Sequence, residues 1–147
     1  MHLKFRVSGR VSRPIAEVFD AVVDPASLSA YFTTGGAKGR LATGTTVTWD
    51  FADFPGAFPV EVISVVANEK IVLRWGGTNT ASRTEVTMNF TDTGDGRTLV
   101  EISEHGWPET EDGLASSYGN CMGWSQMICA LKMWVEHGIN LRDRMYI

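Results

Sequence analysis

The chain has 147 residues, the length of a single domain, and a folded chain of that size buries roughly 68–70% of its unfolded surface without staples. A hydrophobic share of 44% beside 20% charged residues argues against disorder. Thirteen basic against seventeen acidic side chains leave a net charge of −4, which argues against a general grip on nucleic-acid phosphates.

The opening run Met1-His2-Leu3-Lys4-Phe5-Arg6-Val7 alternates cations with apolar residues, so it lacks the apolar core of a signal peptide. Leu3, Phe5, Val7 and Val11 fall on one face and Lys4, Arg6, Ser8 and Arg10 on the other, which predicts a half-buried strand. Ser12-Arg13-Pro14 opens a helix, since proline is tolerated in a first turn, and Ile15, Val18, Phe19 and Val22 form its apolar stripe. Asp24-Pro25 stops that helix and caps a second short one carrying Leu28, Tyr31 and Phe32. Thr33 to Gly44, rich in Gly and Thr, reads as a loop.

From Thr45 the period changes to two. Val47, Trp49 and Phe51 share a face, Phe54-Pro55-Gly56 turns the chain, and Phe58, Val60, Val62, Ser64 and Val66 share the next face. After a turn at Asn68-Glu69 come Ile71, Leu73 and Trp75, then a small polar loop from Gly76 to Ser82. Thr84, Val86, Met88 and Phe90 form another face, and Thr93-Gly94-Asp95-Gly96 is a strong hairpin signal. Val100, Ile102 and Glu104 line the last strand. These are five consecutive strands of a meander, six with the first.

Trp107-Pro108-Glu109 ends the sheet, and residues ~112–137 read as one helix of about 38 Å with Gly138 as its stop. Ser117, Cys121, Trp124, Met127, Ile128, Leu131, Trp134 and Val135 share its broad inner face, opposite Ser125, Lys132 and Glu136. Cys121 and Cys129 lie ~12 Å apart along it, beyond disulfide reach, so reduced thiols and a cytoplasmic location are expected. No stretch approaches the ~18 apolar residues of a membrane span.

The element order and several strings resemble the START-like superfamily (SRPBCC, birch-pollen-allergen-like), and within it the bacterial homologues of the C-terminal domain of the activator of heat-shock protein 90 ATPase. Ser12-Arg13-Pro14-Ile15-Ala16-Glu17-Val18-Phe19-Asp20-Ala21 resembles the family's entry into its first helix, and Val23-Asp24-Pro25 with Leu28, Tyr31 and Phe32 its continuation. Gly44 before Val47, Glu61-Val62 and Ile71-Val72-Leu73-Arg74-Trp75 are similar to its sheet. Glu104-His105-Gly106-Trp107 resembles its exit from the sheet. Gly123-Trp124, Leu131-Lys132 and Glu136-His137-Gly138 resemble its final helix. The resemblance implies a single α+β domain over residues 1–147. Its fold would be a helix-grip fold: a curved antiparallel sheet of about six strands around the long C-terminal helix, two short helices after strand 1, and a cavity between sheet and helix.

Residues able to carry chemistry are few. His2, His105 and His137 show no metal-ligand spacing with another His or Cys, so no metal and no cofactor is expected. Gly35-Gly36-Ala37-Lys38-Gly39 has neither the preceding strand nor the following helix of a phosphate loop, and reads as a flexible loop at a cavity mouth. Glu104 continues the inward phase of Val100 and Ile102, so alternation points its carboxylate at the concave face. There it can bind a ligand hydroxyl or act as a general acid; otherwise the strand end twists and it meets water or a cation such as Arg74. Asn120 falls within the inner arc of the helix, whose first half, with Ser116 and Ser117, is small and polar. That half roofs a cavity with Asn120 as a directional group, or Asn120 is an amide satisfied by backbone or water.

Trp49, Phe51, Phe58, Trp75, Phe90, Trp124 and Trp134 all fall on predicted inner faces, and Met88, Met122 and Met127 add adaptable side chains. Such a set suits a lined cavity as well as a filled core. Tyr31 and Tyr118 are candidates for hydroxyls at its mouth. The reading that follows is non-catalytic binding of a small hydrophobic or aromatic molecule by Trp49, Phe51, Phe58, Trp75, Met88, Phe90, Glu104, Asn120, Trp124 and Met127. The resemblance implies a co-chaperone-like protein-interaction domain as the alternative. It implies a cyclase or hydrolase as a third, for which Glu104 beside His105 or Asn120 would be the acid–base pair. The chain is expected to be a monomer or homodimer.

Overall fold

Side chains alternate sides along a strand, so an amphipathic run with a period of two pairs into a sheet with one buried face. The computed structural model describes residues 2–76 and 83–146. It begins with β1 (Lys4–Val11), α1 (Ile15–Val23) and α2 (Pro25–Tyr31), followed by β2 (Gly36–Lys38), β3 (Thr46–Phe51) and β4 (Phe54–Val66). Then come β5 (Lys70–Trp75), β6 (Thr84–Asp92), β7 (Thr98–His105) and α3 (Glu111–His137). The strands pair antiparallel in the order β1-β7-β6-β5-β4-β3-β2, an open curved sheet with β1 and β2 at its edges. This is the expected α+β helix-grip arrangement. α3 packs along β1, while α1 joins α3 and β6, and α2 joins β2 and α3.

Local chemistry sets the boundaries. The Asp24 carboxylate accepts from the amides of Ala26 and Ser27 at the start of α2, and the Ser27 hydroxyl holds its carboxyl below the ordinary range. Thr110 caps α3 by accepting from the Gly113 amide, and Gly138 ends it at φ 67°, in the left-handed region. At the far end of α3, Glu136 accepts from the Ser12 amide at 2.9 Å, and Arg13 donates to the Glu136 carbonyl. These bonds fix the junction of β1 and α1.

Several details differ from the sequence reading. The described residues hold seven strands, not six, because three residues of the Gly-rich loop pair with β3 as β2. Gly36, Ala37 and Lys38 become a strand only by lying beside β3, a tertiary contact that local composition does not encode. The turn after β3 falls on Ala52-Asp53 rather than Phe54-Pro55-Gly56, since Phe51 already pairs with Phe54. A register shift between Val62 and Ser64 moves Val65 onto the core opposite Ile71 and leaves Val66 exposed, inverting the expected Ser64/Val66 phase. Glu136, placed on the solvent face by helical phase, is mostly covered by its bonds to Ser12 and Lys132. The predicted loop lies outside the described residues from 77 to 82.

The core runs between the inner face of the sheet and the inner side of α3. Val11, Val60, Ile71, Leu73, Val86, Val100 and Ile102 are fully buried against Met127 and Leu131. Gly9 permits this approach, because a Cβ there would stand 2.8 Å from Ile128 Cγ2. No described helix is long and apolar enough to cross a membrane.

Candidate functional site

Alternation along β7 turns Thr98, Val100, Ile102 and Glu104 inward, and Glu104 has no exposed surface at all. A carboxylate cannot be buried cheaply without partners. Four donors converge on this one. Trp75 Nε1, at the end of β5, donates to Oε2 at 2.9 Å, and Thr84 Oγ1, at the start of β6, donates to it at 2.5 Å. From α3, Asn120 Nδ2 donates to the same oxygen at 3.0 Å and Trp124 Nε1 to Oε1 at 2.8 Å. Asn120 and Trp124 are four residues apart, so one helical face presents both. The alternative of a twisted strand end that leaves Glu104 to water or to a cation such as Arg74 is overturned, because Glu104 is fully buried and Arg74 pairs with Glu85 on the outer face.

This network fixes the orientation of its donors. A carboxylate oxygen only accepts, so the Asn120 amide must turn its nitrogen toward Glu104. Its Oδ1 is left as the free acceptor, with no protein partner among the described residues. The two indoles are likewise held edge-on to Glu104, leaving their rings as walls. Trp75 and Trp124 lie 5.3 Å apart, and both contact Trp49, at 5.8 and 6.5 Å.

In front of these walls is a cavity of about 780 Å³, in the size range of small-molecule sites. Phe32, Phe51, Phe58, Trp75 and Trp124 line it, with Thr84 and Asn120 as polar points on its wall. Its α3 side is formed by Gly113, Ser116, Gly119, Asn120 and Gly123, all from the first half of the helix. Glycine inside a helix costs roughly 0.5–1 kcal/mol relative to alanine. A Cβ on Gly119 or Gly123 would meet nothing within 4 Å, so neither glycine is required by packing. Phe54 and Met122 stand at the rim, 77% and 59% exposed.

Of the other residues singled out in the sequence, Trp49 is buried behind the Trp75–Trp124 wall and does not reach the cavity surface. Met88, Phe90 and Met127 lie in the apolar core and do not line the cavity; Phe90 packs edge-on against Phe19. Trp134 is partly buried against that core. Tyr31 is not at the mouth: it is buried, and its hydroxyl donates to the Ala21 carbonyl at 3.0 Å, with burial pushing its phenol upward. Tyr118 is exposed and outside the cavity. His105 points outward, 3.8 Å from Glu85, because successive strand residues face opposite sides. Glu104 and His105 therefore cannot work as a pair. Cys121 and Cys129 are free thiols, and no cluster of metal-ligating residues occurs among the described residues.

The sequence reading missed the wall contributed by the C-terminal segment after α3. Arg142 and Tyr146 line the cavity from there, and Tyr146 hydrogen-bonds Gln126 of α3. The Arg142 guanidinium lies over the rings of Phe32, Phe51 and Tyr146, at 5.5, 5.7 and 4.9 Å. Leu141-Arg142-Asp143-Arg144-Met145-Tyr146 carries no periodicity that would have marked it. Only its return across the cavity gives it a place in the site.

Comparison with known proteins places this geometry in a family context. Residues 12–136 match the family model described as activator of Hsp90 ATPase homolog 1-like protein. No curated protein matches the chain. Among solved structures, protein SSP2350 from Staphylococcus saprophyticus is 24% identical, with a TM-score of 0.78 over 95% of this chain and 96% of that one. The Aha1 dimer from Colwellia psychrerythraea is 19% identical, with a TM-score of 0.77 over 92% of this chain and 97% of that one. DynU16, from the dynemicin biosynthetic locus, is 24% identical with a TM-score of 0.77; 92% of this chain aligns with 48% of that one. At these identities the likeness is one of fold.

Proposed function

Because the chain belongs to the activator of Hsp90 ATPase homolog 1-like family, on a fold that hosts many activities, we propose a function from its site: it binds a small, mainly apolar or aromatic molecule between the sheet and α3. The observation that carries this reading is the cavity, walled by aromatic rings and furnished with one acceptor whose direction Glu104 sets. Gly119 and Gly123 of α3 support it, since larger residues would fit there and would fill the space. Glu104 serves in this reading as a positioning residue. Its oxygens are engaged by four donors and it does not line the cavity, so it orients Asn120 rather than exchanging protons with a ligand. We treat the chain as one domain acting in the cytoplasm, in keeping with its free thiols.

The test is thermal. The purified chain is melted with sterols, fatty acids, flavonoids and polyketide-like aromatics, beside Gly123→Leu, which places a side chain in the cavity. A ligand at a hundredfold excess over Kd adds about 2.7 kcal/mol of stability. The expected result is a shift of several degrees in the parent that Gly123→Leu abolishes; a flat response across the panel overturns the reading. A second reading, a protein-interaction domain, is favoured by the family's description and by the exposed Phe54 and Met122 at the rim. Binding of a heat-shock protein 90 homologue that Phe54→Ser weakens would select it.

A further inference from the structure

We infer that the ligand is an acid: an apolar or aromatic body ending in a carboxylate, which Arg142 receives. The inference rests on the binding reading above and names the class of molecule bound.

Arg142 retains only 7% of its surface, yet it lines the cavity. A guanidinium is charged throughout the physiological range, and burying it without a counter-ion is unfavourable. No carboxylate of a described residue lies within 4.0 Å of it. Its Nε is buried without a hydrogen-bond partner. What surrounds it is aromatic: Phe32, Phe51 and Tyr146 face the planar cation. Rings stabilise a cation modestly, but they accept none of its in-plane N–H groups. The site therefore holds an oriented guanidinium with a buried, unpaired Nε and no carboxylate among the described residues to pair with it.

The occupant must match both chemistries. A guanidinium pairs with a carboxylate through two parallel hydrogen bonds, and the aromatic walls suit an apolar body. Asp53 and Asp112 also line the cavity but are exposed, so the buried charge of the site is positive. Asn120 Oδ1 then remains for a hydroxyl or amine on the body of the ligand.

The test compares acids with their own neutral esters. Dodecanoate and naphthoate, each beside its methyl ester, are titrated into the full chain and followed by tryptophan fluorescence and calorimetry. The acids are expected to bind at least about tenfold more tightly than the esters, the range of one hydrogen-bonded charge. In Arg142→Met, which retains an apolar stem against the rings, acid and ester should bind alike; Arg142→Lys should restore part of the preference. Because the acid–ester ratio is read in the parent chain, the test does not depend on a variant folding. Equal binding of acid and ester overturns the inference while leaving the binding reading intact. Binding by neither, in acid or ester form, overturns both.

Discussion

The Glu104 network makes a quantitative prediction through Glu104→Gln. The substitution keeps size and shape but exchanges one acceptor oxygen for a donor group. In the less costly orientation, the new carbonyl oxygen stays where Oε2 sits and keeps Trp75, Thr84 and Asn120. Its NH2 then faces the Trp124 indole N–H, donor against donor, where the parent has a 2.8 Å bond. One charge-assisted bond is lost and a buried indole is left unpaired, for about 2–4 kcal/mol. For a chain of this length that lowers the melting temperature by roughly 5–15 °C. Glu104→Leu, which leaves all four donors unpaired, should fall further. Circular dichroism melts of the three proteins, with urea denaturation for the free energies, supply the comparison. If Glu104→Gln loses less than about 1 kcal/mol, or if Glu104→Leu equals the parent, the four-donor network is not what stabilises the burial of this carboxylate.

Gly113→Ala places a Cβ 1.9 Å from the Pro108 carbonyl oxygen, so the first turn of α3 must move. A loss of about 1–3 kcal/mol in urea denaturation is expected, and an unchanged midpoint would contradict the contact. Gly123→Ala goes the other way, since its Cβ enters open space: a gain of about 0.5–1 kcal/mol, with weaker ligand binding, is the expected pairing of effects. Burial by itself would raise the Glu136 carboxyl. The Lys132 hydrogen bond, the Ser12 amide and the charges of Lys132 and His137 outweigh it and hold the group below its ordinary range. A lowered native value means stability that is complete above the ordinary carboxylate range and lost as pH falls through the native value. Melting temperature should therefore drop less on acidification in Glu136→Gln than in the parent, and parallel curves would refute the link.

Much of the fold was legible because it rests on local periodicity. The alternation of Thr84, Val86, Met88 and Phe90, the stripe Ile15, Val18, Phe19 and Val22, and the stops at Asp24-Pro25 and Gly138 each depend on neighbours within one or two turns. The same rule turned Glu104 inward and set Asn120 on the inner side of α3. Periodicity failed where a register shift broke it, at Val62 to Ser64, and where a strand formed only by meeting a partner, at Gly36–Lys38.

The contents of the site divide along the same line. By itself, the sequence determined which faces are apolar, and it offered an inward carboxylate at Glu104 and a small, polar first half of α3 each as one of two alternatives. The tertiary structure alone decided that Trp75, Thr84, Asn120 and Trp124, from three separate elements, would all donate to that carboxylate. It also decided that Arg142 would come back from beyond α3 to place a charge among the rings of Phe32 and Phe51. Burial follows from the local order of side chains, because water is excluded face by face. Pairing depends on where distant segments meet, and no periodicity in the chain records that.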